Sequence, residues 1–384
     1  MKTRRPPHDR TAALLNLRPC SPAIPPAGYA DVPEILESAP PRRDRSGHAV
    51  GVTRVDAAVG FTLLELLVAV SITLMLAVLL LSVVTSTLRL WQSTQDRFST
   101  ASQAKLVFDL VERDLQAAVF RRDDGSWLAI EVATAPSGLA IHGWLGAATM
   151  KPAGAASLRL LPDSALGFAA TVSQARFGLS GAWLRLITTN VEAAGSLPAA
   201  VAYQIARRPV SGGITAGNPA AVRYSLFRSV VSAEYTLAAG NDVVAPAYGS
   251  ASLNPTASRT AATLTNPNNN DVLATNVVDF GLWLYVRDAT GTLRRIFPSD
   301  ESDLAHAAHE AGAAPDASRF PDAADVMVRI LTEKGATLLG EIEGGAGRMV
   351  RPAEYASDAD WWWAIVESNS QVYARRVELK GGAL

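Results

Sequence analysis

The sequence predicts an α+β fold: a long N-terminal helix, half transmembrane and half amphipathic, packed on a mostly antiparallel β body. Three observations predict it. One uninterrupted apolar run, FTLLELLVAVSITLMLAVLLLSVV, fills residues 61–84 with a single charge, Glu65. The following stretch to Phe120 holds no proline or glycine and keeps a helical apolar spacing. Beyond Gly125 the texture changes to short β-like runs separated by turn residues.

Residues 1–60 come first and read as disordered, because nine prolines between Pro6 and Pro41 interrupt any helical or strand pattern. Basic residues gather late in this segment, at Arg42, Arg43, Arg45 and Arg54. The only cysteine, Cys20, also lies here. A chain that loses this segment has no disulfide to hold its fold. A body of roughly 290 residues is large enough to bury a core without one.

The apolar run of 61–84 has 24 residues. As a helix it measures about 36 Å at about 1.5 Å per residue, enough to cross a bilayer core of about 30 Å with some tilt. A secretory signal has a shorter apolar stretch followed by a small-residue cleavage site, and neither holds here. The arginines before the run predict a cytoplasmic N-terminus and an extracytoplasmic body.

The helix is expected to continue through 85–124. Phe108, Val111, Leu115 and Val119 recur at helical spacing, with Leu88, Trp91 and Phe98 extending the stripe backwards. Arg97, Lys105, Asp109, Glu112 and Arg113 lie opposite, giving an amphipathic second half. The end is expected at about Phe120, before Arg121-Arg122-Asp123-Asp124-Gly125.

The β body, 125–384, offers strands at Leu128–Val132, Ser157–Leu161, Trp183–Thr188, Ala200–Arg207, Val222–Ser229, Val277–Arg287, Leu293–Phe297, Asp325–Leu331, Trp361–Glu367 and Gln371–Leu379. Asp288–Gly291 and Ser368–Ser370 read as hairpin turns. Pro246–Asp271 and Asp300–Asp322 read as loops.

The chemistry concentrates at Gly60-Phe61-Thr62-Leu63-Leu64-Glu65, at the head of the long apolar run. A glycine offers a peptidase no side-chain obstruction. A carboxylate inside an apolar span costs about 2.5–3.5 kcal/mol on insertion scales unless it is paired. This hexapeptide and its setting resemble the cleavage and methylation signal of type IV prepilins and pseudopilins. The resemblance implies that a prepilin peptidase/methyltransferase cuts after Gly60 and methylates Phe61. It implies that Glu65 meets the N-terminal ammonium of a neighbouring subunit, and that Thr62, Leu63 and Leu64 belong to the assembly surface. The body is then pilin-like, the partners are other pilin or pseudopilin subunits, and the site of action is the inner membrane. A filament outside the cytoplasm follows on assembly.

Further along, Leu110, Glu112, Arg113, Asp114, Leu115 and Ala118 follow, with one residue of slack, the L-x-x-E-R-D-L-x-x-A pattern of J-type minor pseudopilins of type II secretion. Val222–Leu226 followed by Arg228, then Val277–Trp283 and Phe320–Ile330, follow that family's strand order. The size, the N-terminal segment and the Trp-rich end also resemble the Verru_Chthon cassette protein C family. The implied role is structural: a minor subunit that primes, tips or decorates a filament. A pilin-anchored adhesin or binding module is the first alternative, and a membrane-anchored envelope enzyme the second.

Other strings offer weaker chemistry. His306-x-x-His309-Glu310 falls short of a zinc site, which needs a third ligand and another spacing, so a solvated loop or short helix is expected. Asn266–Asp271 and Asp300–Asp303 carry oxygen ligands without the spacing of a calcium loop, which favours ordinary turn chemistry. On a strand, Trp362 points away from Trp361 and Trp363. Core packing is the favoured reading, with Trp362 as the candidate surface aromatic and Arg375 and Arg376 stacking on these rings. No string of a nucleophilic or phosphate-binding enzyme occurs, and no cofactor is expected. The net charge of −1 gives no reason to expect nucleic acid.

Overall fold

The computed structural model describes residues 62–120, 125–134, 151, 175–189, 197–209, 222–248, 262–300, 302–309, 315–343, 350–379 and 382–383. Its contacts cluster into two units, Met1–Ala69 and Val70–Leu384. The chain is α+β, with a long apolar N-terminal helix and antiparallel sheets.

Helix α1 (Leu63–Gln116) runs for 54 residues. Without proline or glycine, nothing in it interrupts the hydrogen-bond ladder. The Ser and Thr residues after the apolar run are accommodated by bonding back to the preceding turn. Thr85 donates to Ser82 O at 3.0 Å, Thr87 to Val83 O at 2.9 Å and Thr94 to Leu90 O at 2.8 Å. Every residue from Leu63 to Thr94 is exposed, and the helix is long and apolar enough to cross a membrane.

Burial starts at Thr100 and takes in Ala104, Val107, Phe108, Val111, Asp114 and Leu115. The predicted stripe is therefore covered at Phe108, Val111 and Leu115 but not further back. Leu88, Trp91 and Phe98 stay 55%, 70% and 73% exposed. The helix also ends earlier than expected. Ala118 bridges to Thr188, and Val119–Phe120 leave the helix to form β1, parallel to β12 (Gly382–Ala383). A β-branched and an aromatic residue beside an open strand gain more from sheet pairing than from another helical turn.

Two larger sheets build the body. β2 (Leu128–Val132), β3 (Ala182–Thr188), β4 (Ala199–Pro209), β5 (Val222–Val230) and β6 (Val272–Thr275) form a meander, with β9 (Ala305–Ala308) added on the β2 edge. β7 (Val277–Arg287), β8 (Leu293–Phe297), β10 (Ala323–Leu331) and β11 (Ser370–Glu378) form the second sheet, in the order β11-β10-β7-β8. All pairings within both sheets are antiparallel. One residue, Asn276, carries the chain from the first sheet to the second, at φ 59°. Asparagine tolerates this left-handed conformation, and its side chain donates to Glu333 at 2.9 Å. β7 then packs across β3, β4 and β5 to close a sandwich.

β7 is buried at ten consecutive positions, Val277 to Val286. At its middle, Gly281 leaves room for Phe177, whose ring meets Trp283 edge-on at 4.9 Å. A Cβ at Gly281 would lie 2.1 Å from that ring. Gly281→Ala is expected to cost about 1–3 kcal/mol by overpacking. The urea midpoint checks this, and an unchanged midpoint would mean that Phe177 can step aside.

The expected strands at Leu128–Val132, Val277–Arg287 and Leu293–Phe297 occur as read, as does the turn at Asp288–Gly291. Ser157–Leu161 lies outside the described residues. One expected strand is a helix: Trp361–Glu367 falls in α5 (Asp358–Asn369). Ser357 caps it, accepting from Asp360 N at 3.1 Å, and Asp358 and Asp360 occupy the positive first turn. Ser368 and Asn369 are its last residues, so the expected hairpin turn at Ser368–Ser370 is a helix-to-strand junction. The remaining helices are α2 (Ala233–Ala238), α3 (Ala262–Thr265) and α4 (Glu333–Glu343), with short 3-10 turns at Pro246–Tyr248, Asn269–Asp271 and Asp316–Ser318. The two expected loops thus contain ordered pieces, β9 among them.

Candidate functional site

Gly60 and Phe61 lie outside the described residues. Immediately after them, Thr62 and Glu65 make a capping box at the start of α1. Thr62 Oγ1 accepts from Glu65 N at 3.2 Å, and Glu65 Oε2 accepts from Thr62 N at 3.2 Å. The reciprocal bonds satisfy two of the free donors at a helix start. A carboxylate there also complements the positive end of the helix. The S/T-x-x-E spacing of this box is legible in the sequence at Thr62 and Glu65. Thr62, Leu63, Leu64 and Glu65 are all exposed.

The apolar surface continues past Val84. At 3.6 residues per turn, Trp91 and Phe98 lie about 160° and 140° round the helix from Val111, which faces the body. Phe98 borders an open groove of about 510 Å³ lined by Thr94, Arg97, Ala101, Gln371 and Tyr373. The covered half of α1 and this apolar face are therefore different sides of one helix.

Polar bonds lock the covered half to both sheets. Asp114, fully buried, accepts from Arg228 Nε at 2.8 Å, Arg228 Nη2 at 3.0 Å and Tyr203 Oη at 2.5 Å. Burial alone would lower the Arg228 pKa, but the bonds to Asp114 outweigh it and hold the guanidinium above its ordinary value. Burial first, and then the charge of Asp114, push the Tyr203 hydroxyl well up. On the other sheet, Arg375 meets Asp109 at 2.9 Å and Glu112 at 3.0 Å, and Thr100 bonds Tyr373 at 2.9 Å. In the sequence Asp114 and Arg228 stand only as members of a pattern. Their pairing joins positions 114 residues apart, which no local signal reveals.

A second buried cluster centres on Glu343, the last residue of α4. Its carboxylate accepts from Arg207 Nε at 2.6 Å, from Trp362 Nε1 at 2.7 Å and from the Tyr224 hydroxyl. Trp362 is 0% exposed, so the candidate surface aromatic is a core residue. On a helix, unlike a strand, three consecutive rings sweep one broad arc, and all three tryptophans are buried. The cations on these rings also differ from expectation. Arg176 lies 4.1 Å and Arg329 5.6 Å from the Trp363 centroid. Arg375 covers Phe108, and Arg376 is bonded to Asp325 at 2.6 Å.

His306 lies in a strand rather than a loop or helix, with His309 one residue past its end. His306 is buried in β9, its Nε2 3.0 Å from Arg319 O, and His309 follows with Nδ1 3.2 Å from Ala307 O. The two rings sit on different backbone carbonyls. Burial lowers the His306 pKa below its ordinary value. The neutral imidazole is the form the fold prefers. Its stabilisation is present above about pH 6.5 and is lost as pH falls through the lower folded value. Melting temperatures between pH 7.5 and 5 should therefore fall more steeply for the native chain than for His306→Gln. Equal slopes would contradict this.

Turn chemistry occupies the oxygen-rich strings. Asn268 accepts from Asn270 N at 3.0 Å and Asp271 from Asn268 N at 3.2 Å. Asp300 accepts from Ser302 N and Asp303 from Ser299 N, both at 2.7 Å. Among the described residues no group of three or more His, Cys, Asp or Glu side chains converges on a point. No protein-family model, curated protein or solved structure matches this chain.

Proposed function

We propose that this chain is a prepilin-type subunit, cut between Gly60 and Phe61, methylated at Phe61 and assembled through α1 into a type IV pilus or a type II secretion-like pseudopilus. The observation that carries the reading is the start of α1: an exposed Thr62–Glu65 box heading a helix with no covering from Leu63 to Thr94. In the bilayer, that surface is solvated by lipid. In a filament, the same surface packs on neighbouring helices, and Glu65 exchanges its own helix start for a neighbour's ammonium. A charge that is costly in lipid and relieved by docking favours assembly in one register.

The role is structural rather than catalytic, in a minor subunit with its N-terminus in the cytoplasm and its body beyond the inner membrane. The bond between Asp114 and Arg228 supports a J-type assignment, because both belong to the stretches on which that resemblance rests. The binding-module alternative loses its surface aromatic, since Trp362 is buried.

The test is co-expression with a prepilin peptidase and mass spectrometry of the mature N-terminus. A chain beginning at methylated Phe61 is expected, with Gly60→Ala processed poorly. Glu65→Val should be cut yet fail to assemble. Glu65→Gln separates charge from capping, because it keeps an acceptor for Thr62 N. It should also be cut and fail to assemble. An uncut native chain, or normal assembly of Glu65→Gln, overturns the respective step.

A further inference from the structure

The open groove of about 510 Å³ between α1 and the start of β11 has the size of a small-ligand site. Four of its lining residues, Thr94, Arg97, Phe98 and Ala101, are spaced i, i+3, i+4 and i+7 and share one face of α1. All four are exposed. Gln371 and Tyr373 close the groove from β11. The Tyr373 hydroxyl is fixed by its 2.9 Å bond to Thr100, whose own hydroxyl donates to Arg97 O at 3.1 Å. The backbone is thus held at the groove while the Arg97 guanidinium is left over: among the described residues no carboxylate is bonded to it. Asp96, the one acidic residue between Arg89 and Lys105, points about 100° round the helix from Arg97. Arg89, Arg97 and Lys105 against Asp96 leave the local balance positive.

Toward the N-terminus the same face of α1 turns apolar. Leu90, Val83, Leu80 and Leu76 lie within about 80° of one another, in line with the groove, and each is more than half exposed. The hydroxyls on this stripe are turned onto the backbone, Thr94 onto Leu90 O at 2.8 Å and Thr87 onto Val83 O at 2.9 Å. The stripe belongs to the helix that is long and apolar enough to cross a membrane. Tryptophan is favoured at membrane–water interfaces, and Trp91 stands exposed at the end of the stripe. Thr94 and Arg97 follow it by about 5 Å and about 9 Å, which is about the depth of a headgroup layer. Side chains on a helix lean toward its N-terminus, so Arg97 reaches back toward the bilayer.

We propose that this groove is a phospholipid site. Arg97 takes the phosphate of an anionic headgroup from the bilayer that α1 crosses, with the Gln371 amide at the rim as a further donor, and an acyl chain follows Leu90, Val83 and Leu80 along the helix. A guanidinium suits a phosphate because its donors are fixed in a plane and carry charge. The unbroken passage from groove to apolar stripe favours a phosphate that carries acyl chains over a free anion. Such a site requires α1 to span the membrane, as in the filament reading, but neither cleavage nor assembly.

The test places the full chain in nanodiscs of phosphatidylcholine with a minor share of phosphatidylglycerol, and native mass spectrometry reads the lipid retained on the released protein. One phosphatidylglycerol should be enriched about fivefold over its share in the bilayer, the factor that one cation at an anionic lipid surface supplies. Arg97→Gln, at an exposed position, should fold as the native chain does and lose that enrichment. Arg89→Gln should keep it, because Arg89 does not line the groove. Equal loss in both variants means general attraction to surface charge and overturns the site, as does enrichment that survives in Arg97→Gln or is absent from the native chain. Displacement of the lipid by sodium phosphate, but not by sodium chloride at matched ionic strength, assigns the groove to a free anion. A dimer without lipid assigns it to a second copy of the chain. Either result overturns the proposal. A chain that fails to enter the nanodisc removes the membrane span itself, and the lipid site with it.

Discussion

Asp114→Ala should unfold at a markedly lower urea concentration than the native chain, by the equivalent of about 3–5 kcal/mol. The loss has an identifiable source. Arg228, with its side chain 19% exposed, and the fully buried Tyr203 hydroxyl would both face a void in place of a carboxylate. Asp114→Asn keeps an acceptor and removes only the charge, so its cost should be smaller, nearer the 1–3 kcal/mol of a weakened buried hydrogen bond. Arg228→Ala should be about as damaging as Asp114→Ala, because it removes the cation from a carboxylate with no exposure at all, leaving the Tyr203 hydroxyl bonded to it. The double variant Asp114→Leu with Arg228→Leu should recover much of the loss, since two apolar side chains leave no buried charge. Amide exchange across 104–115 gives the spatial readout, with protection falling there first. A native midpoint in Asp114→Ala would show that apolar packing alone seats the helix.

Glu343→Leu is the second large effect expected, again about 3–5 kcal/mol. Arg207, whose side chain is 6% exposed, would keep its charge without the Glu343 carboxylate, and the Tyr224 hydroxyl and Trp362 indole would lose a shared acceptor. Burial by itself would lower the Arg207 pKa, and the charge of Glu343 outweighs it, so the pair is a coupled unit. Glu343→Gln keeps an acceptor oxygen and should be milder. The damage should localise, because this carboxylate ties α4 and α5 to β4 and β5. Exchange should rise across 333–343 and 358–369 while β7 and β10 stay protected. Uniform loss of protection would mean the sandwich and the two helices unfold as one unit.

Reading along the chain worked where the physics is local. The apolar run, the absence of helix breakers and the unbroken apolar, β-branched and aromatic character of β7 are short-range properties, so α1 and most strands can be located from the sequence alone. At α5 local strand propensity and local helix capping disagree. Tryptophan favours strands on average, and three in succession outweighed the Ser357-x-x-Asp360 cap that starts a helix there. α1 also stops short of the expected Phe120, because the pull on Val119 and Phe120 comes from β12, over 260 residues away in sequence. Most of the candidate site was equally legible, since the signal from Gly60 to Glu65 is contiguous. The capping bond between Thr62 and Glu65 is local too, and a spacing rule predicts it.

By itself, then, the sequence determined the long apolar helix, its acidic capped start and the antiparallel β body, because each depends on near neighbours. Only the tertiary structure decided where α1 stops being covered, which of its faces meets the body, and that Trp362 is core. Those outcomes depend on partners brought from distant positions: Arg228 for Asp114, Arg375 for Asp109 and Glu112, and Glu343 for Trp362. A buried charge or indole is stable only where its partner arrives. That arrival is a property of the folded sandwich and cannot be read from any one segment.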